Sequence, residues 1–217
     1  MRIEDRNPKG NILDSGYCRV FGDDPGGIRI AELIRKIQSA VIGNGNELED
    51  LIVKHSKHPN TLSNEKLDDF YLGQENAFVV QMALHDVDEG GKNINLDGLL
   101  LTPSTVYPLE FKDGMNFDTK KSAGEVSSLN KAAAFVGQRD PLGREVVPKI
   151  VLWNCKDISD ASFKCKEGEP MLMTGEEFAE LASIDKGAID EERKKDQLSN
   201  KQYLLSETHE IRQEEAA

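Results

Sequence analysis

Apolar positions recur at helical spacing early in this chain. Ile30, Leu33, Ile34, Ile37 and Val41 follow Asp23-Asp24-Pro25, a capping acid with a proline for the first turn. Gly43-Asn44-Gly45 interrupts the stripe, and Leu48, Leu51 and Ile52 resume it as far as His55. That pattern predicts two helices, or one with a weak middle, since each glycine costs about 1 kcal/mol relative to alanine. Ser63 is placed to cap a short helix carrying Leu67, Phe70 and Tyr71. From 77 to 84 two periods compete. Phe78, Val80, Met82 and Leu84 alternate as in a strand, while Ala77, Val80, Gln81 and Leu84 fit a helix. The turn-forming residues at 89–93 favour a strand that leads into a hairpin.

Strict alternation returns over 106–112. Residues 122–137 then predict a helix, with Val126, Leu129, Ala133 and Val136 on one face. Residues 148–153 read as a buried strand, with Trp153 in the core. Residues 174–183 read as a helix capped by Thr174, with Phe178 and Leu181 inward. Residues 1–27 form an arm with an extended piece around 17–21, and 28–184 form the core domain. Residues 185–217 are a charged helical segment or tail: a solvated helix, a dimer arm or partly disordered. The fold class is α/β, a central mixed β-sheet flanked by helices in the order αβββαβ.

The pattern also sets side chains against one another. Pro103 and Ser104 lie between two apolar runs. If they are the central pair of a tight hairpin, Thr102 faces Thr105 and Asp97 faces Glu110. Glu110 and Lys112 then share one face, and Tyr107, Leu109 and Phe111 share the other. Pro108 cannot donate to a ladder, so a bulge there shifts this register by one. Asp97, Glu110 and Lys112 on one patch are costly unless a cation binds the carboxylates. Two converging carboxylates make a hard oxygen site suited to magnesium. A lysine beside them can orient or deprotonate a water, or hold a phosphate. The combination points to metal-assisted hydrolysis of a phosphodiester.

Composition narrows the setting. The 217 residues carry a formal net charge of −12, which argues mildly against bulk nucleic-acid affinity. The acids crowd 167–192 and the Glu214-Glu215 pair, while Lys120, Lys121, Lys131, Arg139, Arg144 and Lys149 follow the central patch. An acidic protein with a basic cleft is the expectation. No apolar run is long enough for a membrane span, no signal region opens the chain, and Cys18, Cys155 and Cys165 form no zinc spacing or paired framework. A reducing cytoplasm fits.

Asp97-Gly98 followed by Glu110-Phe111-Lys112 resembles the D…(D/E)-x-K signature of the PD-(D/E)xK nuclease superfamily, with Leu96 where a proline is usual. The element order over roughly 30–155 is similar to that superfamily's restriction-endonuclease-like core. The resemblance implies Asp97 and Glu110 as ligands of Mg2+, with Mn2+ able to substitute, and Lys112 as the catalytic lysine. It also implies a helix glutamate reaching the metal through water. Glu49 takes that role, with Glu47 and Glu32 as competitors. The chain looks most like a type II restriction endonuclease, implying double-stranded DNA as partner and a homodimer. Asn116, Lys120 and Lys121 are candidates for phosphate contacts, and Arg139 and Arg144 for reading bases. Two alternatives stand beside this one: a repair, recombination or defence nuclease of the same fold, and a non-catalytic acidic binding protein.

Overall fold

The computed structural model describes residues 1–65, 73–85, 93–114, 119–162 and 171–215. In chain order the elements are α1 (Gly16–Phe21), α2 (Pro25–His55), β1 (Thr61–Ser63), β2 (Ala77–His85), β3 (Asn93–Leu101) and β4 (Thr105–Lys112). They continue with α3 (Thr119–Arg139), β5 (Glu145–Val146), β6 (Lys149–Leu152), a 3-10 turn (Ile158–Asp160), β7 (Leu172–Thr174), α4 (Gly175–Leu181) and α5 (Lys186–Glu215). None of the described helices is long and apolar enough to cross a membrane.

The chain divides into two compact units, one of residues 1–47 with 187–217 and one of residues 48–186. The sequence boundaries at 27/28 and 184/185 stand beside structural boundaries at 47/48 and 186/187.

The first unit is helical. Its part of α2 runs antiparallel to α5, joined by Arg29 to Glu210 and Glu214 and by Lys36 to Tyr203. Such polar contacts suit a helix as polar as α5, which buries few apolar residues among those described. α2 is one helix through its glycines. A Cβ at Gly43 would meet the Arg6 guanidinium, whose Nη2 donates to the Ser39 carbonyl at 3.0 Å. The arm is not extended at 17–21. That stretch is α1, started by Ser15, whose side chain accepts the Cys18 N–H.

The second unit holds the sheet, in the order β1-β2-β3-β4-β6-β7 with β5 also on β4. β2, β3 and β4 are antiparallel neighbours, while β1, β5, β6 and β7 add in parallel. It is the mixed, helix-flanked sheet expected. A core cluster on one side joins Val126, Leu129, Ala132 and Val136 of α3 to Val79, Leu99, Val106 and Ile150 of the strands. Fully removing such side chains from water contributes about 1.5–3 kcal/mol each. Phe178 of α4 packs against Phe78 and Phe111, with ring centroids 5.8 and 5.1 Å away. Thr174 caps α4 in a reciprocal pair with Glu177, as its sequence suggests. Trp153 is fully buried, in keeping with its core assignment.

Leu181 is a correction. It lies exposed, and Ala179 and Ala182 take the inward positions beside Phe178. β1, β5 and β7 are two or three residues long, too short to carry a period. Ser63 ends β1, and the helix and turn expected at 67–71 and 89–93 fall largely outside the described residues.

Candidate active site

The hairpin register is the one implied by a two-residue loop. Leu101 pairs with Val106, Leu100 with Tyr107, Leu99 with Pro108 and Gly98 with Leu109. Thr102 N–H closes the turn onto Thr105 O at 2.9 Å. Continuing that register sets Asp97 beside Glu110. Pro108 makes no bulge. On its β3 side it occupies a pair that needs no N–H from it. On its other side it falls between the end of β5 and the start of β6, where Val147 already donates to Val106 O.

The β3–β4 ladder stops at the site. Phe111 N–H donates not to a strand carbonyl but to Asp97 Oδ2, at 2.7 Å. Gly98 sits close beside it: a Cβ there would lie 3.3 Å from the Phe111 ring and from Leu109, so those side chains would have to shift by a few tenths of an ångström. On the other side of β3, the pairs Val80–Gly98 and Met82–Leu96 leave Gln81 abreast of Asp97. Gln81 has φ of 61°, a left-handed conformation that costs a non-glycine residue roughly 1 kcal/mol or more. Both strands change face here. The core takes Ala77 and Val79 before Gln81 but Met82 and Leu84 after it, and in β3 it takes Leu96 and then Leu99. This is why the alternation over 77–84 read ambiguously.

Three neighbouring strands therefore present Gln81, Asp97 and Glu110 side by side. Gln81 donates through its amide to Glu49 Oε2 on α2, at 2.6 Å. Lys112 Nζ donates to Glu110 Oε1 at 2.6 Å and pairs with Glu125 Oε1 of α3 at 2.9 Å. Two carboxylates thus hold one ammonium, while Asp97 and Glu49 add their charge close by. Burial pushes the Asp97 carboxyl up to about 6. The Phe111 N–H pulls it down, and Glu49 adds repulsion. Burial and then Asp97 raise Glu110. Burial also raises Glu49, against the Gln81 hydrogen bond. Burial alone would lower Lys112, but Glu110 and Glu125 outweigh it and hold the amine charged.

Among the described residues, no three His, Cys, Asp or Glu side chains converge closely enough to ligate a metal together. The donor set still fits magnesium, which generally takes one or two carboxylates and completes its shell with water and phosphate. Two adjacent carboxylates that burial and neighbouring acids hold above their ordinary range would be relieved by a cation.

Of the other sequence candidates, Asn116 lies outside the described residues. Lys120 and Lys121 fall in the first turns of α3, where only the backbone is described. Arg139 ends α3, exposed, its guanidinium stacked 3.5 Å from the Phe135 ring centroid. Arg144 is corrected. Its side chain is 2% exposed and bonds Asp140 at 2.6 Å, Gln74 O at 2.8 Å and Thr102 O at 3.3 Å. It ties the loop after α3 to the β3–β4 turn and is not presented for base reading. Of the competitors to Glu49, Glu47 pairs with the Met1 ammonium and Glu32 is exposed.

Gln81 and Glu125 escaped the sequence reading. Gln81 becomes visible only once the β2–β3 register is known. Glu125 has no local signal at all, since it joins the site only because α3 crosses the sheet.

The mixed seven-stranded sheet and its flanking helices make an α/β architecture compatible with a restriction-endonuclease-like fold. A relative supports the assignment: the sequence is 29% identical over 207 residues to the type II restriction enzyme HhaII of Haemophilus parahaemolyticus. The match covers 91% of this chain and 89% of that protein. No family model matches the chain. No solved structure matches it either.

Proposed function

We propose that this chain is a magnesium-dependent DNA endonuclease of the PD-(D/E)xK type, cutting both strands of a specific duplex site as a type II restriction enzyme. The observation that carries this reading is the placement of Asp97 beside Glu110 at the end of the β3–β4 ladder, with Lys112 one step further on the same face. The similarity to a protein named as a type II restriction enzyme, along nearly the whole of both chains, supports it.

Asp97 and Glu110 would hold the cation. When bound, Mg2+ supplies charge neutralisation at a phosphoryl oxygen and makes water more acidic. The chain's own residues do the rest. The Phe111 N–H fixes the rotamer of Asp97 and leaves its second oxygen for the ligand. Lys112, held as an ammonium, is suited to donate a hydrogen bond to the phosphate or the attacking water. It is poorly suited to remove a proton, since a general base needs a pKa near the operating pH. Glu49, oriented by Gln81, adds a carboxylate that can accept a hydrogen bond from water. Asn116, Lys120, Lys121 and Arg139 are proposed to contact the DNA. A homodimer is proposed because two copies of one active site match the two strands of a symmetric site.

The test is incubation of the full chain with unmethylated phage DNA, with and without Mg2+ or Mn2+, resolved on a gel. Discrete bands that need the metal are expected. Intact DNA under all conditions would refute the reading, and nicking confined to branched or single-stranded DNA would point to a repair-type nuclease instead.

A further inference from the structure

Lys112 is held from two sides, and only one of its partners belongs to its own strand. Glu110 lies two residues before it on β4. Glu125 comes from α3 and reaches Nζ at 2.9 Å. An ammonium has three N–H donors. Two are taken by Glu110 Oε1 and Glu125 Oε1, so these partners fix the direction of the third. One anchor would leave a long, flexible side chain free to turn about that single bond. It would also commit the whole lysine charge to Glu110, the carboxylate proposed to bind the cation.

Among the described residues, Glu125 makes its ion pair with Lys112. It precedes the buried Val126 of α3, and its Oε2 is buried with no hydrogen-bond partner among the described residues. A buried carboxylate oxygen left in that state is unfavourable in the free protein. Its placement makes sense if the Lys112 contact is what that side chain is there to make.

We propose that Glu125 is a positioning residue, fixing the Lys112 ammonium from the α3 side so that its remaining N–H is held ready for a phosphate oxygen or water. The catalytic consequence rests on the endonuclease reading above. The anchoring itself rests on geometry.

The experiment uses the full chain as wild type, Glu125→Ala and Glu125→Gln. Single-turnover cleavage of unmethylated phage DNA is measured alongside DNA affinity, melting midpoint and the 15N signal of the Lys112 ammonium, identified by its loss in Lys112→Ala. Glu125→Ala is expected to slow cleavage about tenfold or more, the loss of one charge-assisted hydrogen bond. DNA affinity and melting should stay near wild type, and the Lys112 signal should vanish as its protons exchange faster. Glu125→Gln retains an oxygen acceptor without the charge, so it should fall between the two in rate and keep the signal. Wild-type cleavage by the alanine variant, or an unchanged Lys112 signal in it, would overturn the proposal. If the alanine variant fails to fold, the near-isosteric glutamine variant decides, and a rate equal to wild type counts against the proposal. If the wild type cuts no DNA at all, the endonuclease reading fails, and the ammonium signal alone decides the anchoring.

Discussion

The Asp97 carboxylate takes the place of a strand carbonyl for Phe111. Its Oδ2 accepts the Phe111 N–H at 2.7 Å, where the β3–β4 ladder ends. The backbone group stays satisfied past the last strand pair, and one oxygen of the carboxylate is held in place. The arrangement carries an electrostatic cost that can be measured. Asp97 binds its proton more tightly when folded, near pH 6, than at its ordinary value of 3.8. Between those values the folded state holds more protons than the unfolded one, so stability falls as pH rises through that window and levels off above it. Asp97→Asn removes this contribution and keeps an acceptor for Phe111. Chemical denaturation should find the variant more stable than wild type above about pH 6, by up to about 3 kcal/mol, with the difference gone below about pH 4. Millimolar Mg2+ should stabilise the wild type at neutral pH and leave the variant unaffected.

Cleavage should depend on each of the three strand residues. Asp97→Ala, Glu110→Ala and Lys112→Ala are expected to reduce the single-turnover rate by about 100-fold or more, with the circular dichroism of the folded chain retained. Lys112→Arg should not restore the rate, because a planar guanidinium cannot meet Glu110 and Glu125 as a compact ammonium does. Wild-type cleavage by any of these variants would remove that residue from the site.

Gln81 separates strain from chemistry. Gln81→Gly relieves the left-handed backbone but loses the hydrogen bond to Glu49, so the two effects oppose and stability should change by less than about 1 kcal/mol. Gln81→Val, whose branched side chain is hindered at this φ, should cost about 2 kcal/mol or more. Equal melting temperatures for the two variants would show that the backbone conformation is not a constraint. If Gln81 orients Glu49 for catalysis, the glycine variant should also cut more slowly despite its intact fold.

Arg144 and Arg139 should behave differently. Removing the Arg144 side chain takes away the charge partner of Asp140, which keeps the backbone N–H of residue 144, so the cost is expected at the low end for such a pair, about 3 kcal/mol. Urea denaturation of Arg144→Ala should show a loss of that size, while any variant that stays folded should bind DNA as wild type does. Arg139→Ala should leave stability nearly unchanged and weaken DNA binding, with a shallower salt dependence. Weakened DNA binding by folded Arg144→Ala would reinstate it as a DNA contact.

Much of the sheet was legible because its signals are local. Period-two alternation marked β4, the two-residue Pro103-Ser104 loop fixed its partner register, and Thr174 announced α4 by its capping pair with Glu177. α1 was missed because Ser15 starts a helix only six residues long, too short for a stripe. β1, β5 and β7 were missed for a related reason, being held by neighbours more than by their own pattern. Leu181 was misplaced because the short α4 buries a narrow face that small alanines fill.

By itself the sequence determined that Asp97, Glu110 and Lys112 meet if the Pro103-Ser104 turn is two residues long and Pro108 makes no bulge. A two-residue turn and a period of two lead to that meeting on paper, and the observed β3–β4 pairing meets the condition on the turn. Tertiary structure decided what surrounds them. Gln81 reaches the patch through the pairing of β2 with β3, and Glu125 through the path of α3 over the sheet. Arg144 is withdrawn from solvent because the loop after α3 folds back onto the β3–β4 turn. Each of these depends on groups distant in sequence, whose contacts are set by packing and by the need to satisfy buried polar atoms, and neither leaves a periodic trace along the chain.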